Sequence, residues 1–135
     1  MKFIGRDTDY AVRALMFMAK ALKDSNKRIV TVDDIVKKQD LPERFLRRIL
    51  QRLAKNNVLT SYKGKDGGFS LVRSPKNIFI IDVINIFQGK VDLTNCFLKG
   101  STCPGTKNCI LRKKLGKINS IVNKELHKIT IASLL

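Results

Sequence analysis

The sequence predicts a mainly α fold, a winged helix-turn-helix with a two-stranded wing followed by a long C-terminal helix. Three observations carry that prediction. A short helix opening at Thr31-Val32-Asp33-Asp34 runs through a tight connection into a longer amphipathic helix at Pro42. Two β-prone runs, Val58-Leu59-Thr60-Ser61-Tyr62 and Phe69-Ser70-Leu71-Val72, flank a Gly-rich basic turn. From Ile110 to Ile129, apolar residues return at helical spacing.

Each element has a local cause. The first helix starts near Asp7 to Asp9 and runs to about Leu22, because Ala11, Leu15, Met18 and Leu22 form one stripe. Asp7, Thr8 and Asp9 supply oxygens for the orphan N–H groups at its start. Asp24-Ser25-Asn26 reads as a loop. The second helix is short and ends near Lys38, with Gln39-Asp40-Leu41 as the turn. Pro42 suits the first turn of the third helix, where its missing N–H costs nothing.

The third helix, about Pro42 to Asn56, separates two chemistries. Phe45, Leu46, Ile49, Leu50 and Leu53 fall on one arc; Arg44, Arg47, Arg48, Gln51, Arg52 and Lys55 fall on the other. Ser74-Pro75 breaks the chain after the wing, and Ile80 to Phe87 reads as a buried helix closed by Gly89. On the last helix, Leu111, Leu115, Ile118, Val122 and Leu126 make a continuous narrow stripe. Such a stripe seeks another long helix. The chain has none to spare, so these residues are expected to form a dimer interface. The resulting organisation is a DNA-binding domain over 1–90, a cysteine-containing loop over 91–109, and a dimerisation helix and tail over 110–135.

Charge narrows the function. The 135 residues carry 27 Lys+Arg against 11 Asp+Glu, a formal net charge of +16. That excess favours a polyanionic partner. Between Leu41 and Lys76, nine basic residues stand against Glu43 and Asp66. A charge run is commonly only a solvated face. Here it lacks a Glu four residues after any arginine, follows a tight helical turn and precedes a basic wing. Double-stranded DNA is the expected partner. Arg44, Arg47, Arg48 and Gln51 would meet base edges in the major groove, while Lys55, Lys63 and Lys65 would meet phosphates or the minor groove. The turn Lys63-Gly64-Lys65-Asp66-Gly67-Gly68 is by itself an ordinary hairpin loop and gains meaning from its position.

Other classes fall away. No apolar run approaches the length of a membrane span, and the N-terminus has no apolar signal core, so a cytoplasmic protein is expected. A single histidine and no carboxylate pair in a pocket argue against an enzyme.

The cysteines are Cys96, Cys103 and Cys109, within NCFLKGSTCPGTKNCI. Three free thiols are the plain reading. The segment, however, is rich in Gly, Pro, Asn, Ser and Thr, with little else to hold it, and Lys99 and Lys107 favour thiolates. Zinc loops usually contain closer pairs, whereas an iron–sulfur cluster tolerates varied spacing. Three thiolates leave one ligand to find. His127 lies 18 residues beyond Cys109 on the same helix, roughly 27 Å at 1.5 Å per residue. It reads instead as a surface residue at a helix end.

DTDYAVRALMFMA, LPERFLRRILQRLAKNNVLTSYKGKDGGFSL, the three-cysteine loop and KITIASLL together resemble the IscR/NsrR/RirA-type family of bacterial winged-helix transcription regulators, over essentially the whole chain. The resemblance implies a homodimer on a near-palindromic operator, with a cluster on the three cysteines setting operator affinity and repression the expected outcome. IscR-like members complete a two-iron site with a histidine three residues after the last cysteine; Arg112 stands there. NsrR-like members use an N-terminal aspartate of the other subunit for a four-iron cluster; aligned on Tyr10-Ala11-Val12, that position is Asp9. A [4Fe-4S] cluster is therefore expected over [2Fe-2S]. The Cys96–Cys103 gap is one residue longer than the commonest spacing. Two rivals stand beside this reading: a cluster-free regulator under a partner protein or thiol oxidation, and a small iron–sulfur electron carrier.

Overall fold

The computed structural model describes residues 2–94 and 108–135. Helices α1 (Arg6–Ser25), α2 (Val32–Gln39) and α3 (Glu43–Lys55) precede strands β1 (Leu59–Tyr62) and β2 (Gly68–Leu71). Helices α4 (Ile80–Gln88) and α5 (Ile110–Leu126) follow. This is the mainly α winged helix that the sequence predicts.

Helix α1 begins slightly earlier than expected. Gly5 is its N-cap and makes no side-chain cap; Asp7 and Asp9 lie in the first turn. Thr8 does something else: it is fully buried, and its hydroxyl donates to Gln88 Oε1 at 2.7 Å. Gln88 also accepts from the Gly5 N–H at 2.8 Å and donates to the Phe3 carbonyl at 3.0 Å. One side chain at the end of α4 thus fastens the start of α1.

The helix-turn-helix forms as its local chemistry dictates. Thr31 Oγ1 accepts from the Asp34 N–H at 3.1 Å, and the Asp34 carboxylate accepts from the Thr31 N–H at 3.0 Å. Asp40 ends α2 in the left-handed region, φ 49°. Pro42 is the N-cap of α3 rather than its first residue, because its ψ of 120° is extended. Lys27 adds a contact the sequence did not suggest, 2.8 Å from Asp34 Oδ2. That hydrogen bond first, and the Thr31 N–H second, hold the Asp34 carboxyl below its ordinary value of 3.8. A depressed carboxylate stabilises the fold above its unfolded pKa, and that contribution is lost as pH falls through the folded value. Asp34→Asn is expected to lower the melting temperature near neutral pH. The gap from the native chain should close as pH falls below about 4. Circular dichroism melts across that range test this; a gap independent of pH would remove the charge from the account.

In the wing, β1 and β2 pair antiparallel with Leu59 opposite Leu71 and Tyr62 opposite Gly68. A bridge from Val30 to Phe69 ties the hairpin to the lead-in of α2. The turn needs its glycines: Gly64 has φ 99°, and a side chain on Gly67 would strike the Tyr62 carbonyl. Leu15, Ile35, Leu46, Ile49, Leu50, Leu53 and Val58 pack as one core with Ile78 and Ile84. Each full leucine burial contributes about 1.5–3 kcal/mol.

The C-terminal segment joins that core. Thr130 bridges Phe79, the Ile131 N–H donates to the Ile78 carbonyl at 2.9 Å, and Ile131 is fully buried. Leu126 is buried too, and Val122 packs against the core. The expected dimer stripe is therefore divided. Leu126 belongs to its own chain's interior, Val122 and Leu115 are half-buried, and Leu111 and Ile118 face outward. Ile110 and Ile121 are exposed beside them. Among the described residues, no helix is long and apolar enough to cross a membrane.

Candidate nucleic-acid interface and cysteine site

The polar arc of α3 is exposed along its length. Arg44, Arg47, Arg48, Gln51, Arg52 and Lys55 all reach solvent, while Leu46, Ile49, Leu50 and Leu53 are buried beneath them. Lys63 and Lys65 are exposed on the wing turn. A crevice lined by Arg47, Ser61, Tyr62, Gly64 and Gly67 joins α3 to the wing, so helix and wing share one surface. Of the residues expected to contact DNA, Arg47 thus borders the wing turn that carries Lys63 and Lys65.

Two expectations about this face change. The arginines are not all unpaired: Arg47 directs Nε and Nη2 onto Glu43 Oε1, at 3.1 and 2.7 Å. The acid lies four residues before the arginine, not after it. Such an exposed pair is worth about 0.3–0.5 kcal/mol, which a phosphate or guanine edge can replace. Phe45 is half-buried at the border of the arc rather than in the core. The Arg6 and Arg48 guanidiniums lie 4.7 and 5.2 Å from its ring centroid, and Arg52 lies 5.2 Å from Phe87. Sequence spacing gives no sign of Arg6, which comes from another helix.

Among the described residues Arg44 forms no ion pair, so it is the arginine of α3 freest to fork onto a base. Arg44→Ala is expected to weaken binding to a selected cognate duplex by about 1–3 kcal/mol more than to random DNA. Lys63→Ala should weaken both duplexes alike and flatten the salt dependence. Anisotropy titrations at several salt concentrations separate the two effects. Equal losses for both variants on both duplexes would mean that α3 does not read bases.

Of the three cysteines, Cys96 and Cys103 lie outside the described residues. Cys109 is half-buried and is the N-cap of α5, its Sγ accepting from the Arg112 N–H at 3.5 Å. The chain leading into the cysteine segment is anchored on the same helix. The Leu93 N–H donates to Asn119 Oδ1 at 3.0 Å, and Asn123 Nδ2 donates to the Val91 carbonyl at 3.1 Å. Residues 91–94 and Cys109 are thus both fixed to α5. Asp9 faces outward from the first turn of α1 and pairs with Arg13 at 3.0 Å. His127 caps the far end of α5, Nδ1 lying 2.6 Å from the Asn123 carbonyl, as a surface residue should.

Fold and surface together define a winged helix whose second helix-turn-helix element carries an exposed basic face. A family model described as Rrf2, iron-dependent transcriptional regulator, matches residues 4–135. The chain belongs to the Rrf2 family of transcriptional regulators. It is 31% identical to a protein of Aquifex aeolicus described as an HTH-type transcriptional regulator, across 93% of this chain and 86% of that one. It is also 26% identical to an rrf2-like HTH-type regulator of Rhodobacter capsulatus, over 81% and 76% of the two chains. Among solved structures, Bacillus subtilis CymR, the global cysteine regulator, superposes with a TM-score of 0.75 at 19% identity, covering 99% and 96% of the two chains. IscR of T. potens superposes with a TM-score of 0.74 at 22% identity, covering 99% and 85% of the two chains. These two likenesses establish the fold.

Proposed function

We propose that this regulator works as a homodimer on a near-palindromic operator, as a repressor whose affinity is set by an iron–sulfur cluster. The cluster, [4Fe-4S] in preference to [2Fe-2S], would be held by Cys96, Cys103 and Cys109, with Asp9 of the partner subunit as fourth ligand. The observation that carries this reading is the setting of Cys109. It is a half-buried free cysteine at a helix N-terminus, on the helix to which the chain leading into the cysteine segment is also fixed. Three thiolates on such a loop suit iron–sulfur chemistry, and the cluster, when bound, supplies a redox- and ligand-sensitive centre. Arg112 cannot ligate, and its N–H is already directed at Cys109. To serve as a ligand, Asp9 would have to give up its pairing with Arg13. Because carboxylate is a harder ligand than thiolate, it also binds such iron weakly. A readily released ligand suits a sensor.

The dimer rests on the outward apolar residues of α5: Leu111, Ile118 and their neighbours Ile110 and Ile121. Two recognition helices then meet two half-sites about one DNA turn apart. A second reading, control by thiol oxidation without a cluster, draws on the likeness to CymR and on Arg112 occupying the position of an IscR-like histidine. Anaerobic purification from iron-replete cells, with an absorption spectrum and iron and sulfide counts, tests the proposal. Coloured protein with iron and sulfide supports the cluster; colourless, iron-free protein overturns it in favour of the thiol reading.

A further inference from the structure

We infer that the DNA-binding surface extends beyond α3 and the wing onto the start of α1, where Arg6 is a backbone-phosphate contact pre-positioned by Phe45 and Gln88. The inference rests on the DNA-binding reading and adds a residue to it. Arg6 is 61% exposed at its side chain, and its nearest acid is Asp7, at a loose 3.9 Å. Its guanidinium lies over the Phe45 ring at 4.7 Å, and Arg48 of the recognition helix lies over the same ring at 5.2 Å. Stacking uses the face of a guanidinium and leaves its in-plane N–H donors free, the geometry that phosphate oxygens accept. Arg52, 5.2 Å from Phe87, continues the same basic flank of α3.

The backbone beneath Arg6 is held as firmly as its side chain. Gln88 bonds the Gly5 N–H, the Thr8 hydroxyl and the Phe3 carbonyl, bracketing Arg6 on both sides. Gln88 and Phe87 both come from the end of α4, so three helices converge to place one exposed cation beside the recognition helix. An arginine needed only for solubility would require neither the ring nor the bracket. A DNA strand lying along the flank of α3 would find Arg6, Arg48 and Arg52 in a row. The contribution of Arg6 would be to affinity and register, not to sequence choice.

The test uses the full-length protein and a fluorescein-labelled random duplex of about 30 base pairs, because a phosphate contact is independent of sequence. Binding is titrated by anisotropy from about 50 to 200 mM KCl. Arg6→Ala should lower affinity several-fold and flatten the log–log salt slope by about 0.9, the loss of one phosphate contact. Lys20→Ala, an equal charge loss on an exposed part of α1, should stay close to the native slope. Arg6→Lys should keep the slope while losing part of the affinity, because the ammonium lacks the stacked fork. If Arg6→Ala behaves as Lys20→Ala while Lys63→Ala still flattens the slope, Arg6 does not touch DNA and the inference falls alone. If the native protein fails to bind duplex at all, the DNA-binding reading falls with it.

Discussion

Ile118→Glu should convert the protein to a folded monomer of 15.3 kDa that no longer holds its operator. The side chain is 49% exposed in the single chain, so a carboxylate there meets solvent and leaves the protomer core intact. Its cost arises when two copies of α5 come together, because an unpaired charge is then drawn into an apolar seam. Loss of the dimer separates the two recognition helices, and with them the gain from binding two linked half-sites, about 10²–10⁴-fold in affinity. Leu126→Glu makes a useful contrast. Leu126 is only 9% exposed and packs in its own chain's core, so its replacement should unfold the protomer rather than dissociate it. Sedimentation with circular dichroism distinguishes the two variants. A monodisperse dimer from Ile118→Glu would move the interface elsewhere.

That contrast also marks where the sequence ceases to be legible. The α5 stripe could be read because helical spacing is a local property, yet α5 carries apolar residues on two faces. Val122, Leu126 and Ile129 turn toward the core, while Ile110, Leu111, Ile118 and Ile121 turn outward. Which set meets its own chain depends on the return of Thr130 and Ile131 to Phe79 and Ile78, a pairing across some fifty residues that no local pattern encodes. The helix-turn-helix was legible for the opposite reason. The reciprocal Thr31–Asp34 cap, the buried leucines of α3 and the wing glycines all act within a few residues of one another.

The interface follows the same division. The basic arc of α3 could be read from its own spacing, but Arg6 over Phe45 joins different helices, and Gln88 reaches Thr8 across eighty positions. Thr8 looked like a capping residue because Thr commonly caps helices. In the fold, the helix starts before it, and its hydroxyl serves a tertiary contact instead. Glu43 pairs with Arg47 from four residues earlier, whereas the spacing that excludes neutralising acids on this face runs in the C-terminal direction.

Under the proposed cluster assignment, Cys109→Ser should abolish iron and sulfide binding while leaving the fold unchanged, and the structure makes this an unusually clean substitution. Cys109 is the N-cap of α5, and its sulfur accepts the Arg112 N–H. Serine is among the best N-cap residues, so its hydroxyl can take the same hydrogen bond at least as well. The helix, the anchoring of Leu93 to Asn119 and the apolar seam on α5 should all survive. The proposed iron ligand would be lost, because a neutral hydroxyl is a poor substitute for a thiolate on cluster iron. The variant purified anaerobically should therefore be colourless and free of iron and sulfide, with a native melting profile and a native dimer. Its operator affinity should match that of the native protein stripped of its cluster, and should no longer respond to oxidant or nitric oxide. Under cluster-free control by a partner protein, the same serine would leave operator binding and its regulation as they were. An electron carrier would show no duplex binding even before substitution. A Cys109→Ser protein that retains a full complement of iron and sulfide would remove Cys109 from the ligand set, and with it the observation on which the cluster assignment rests.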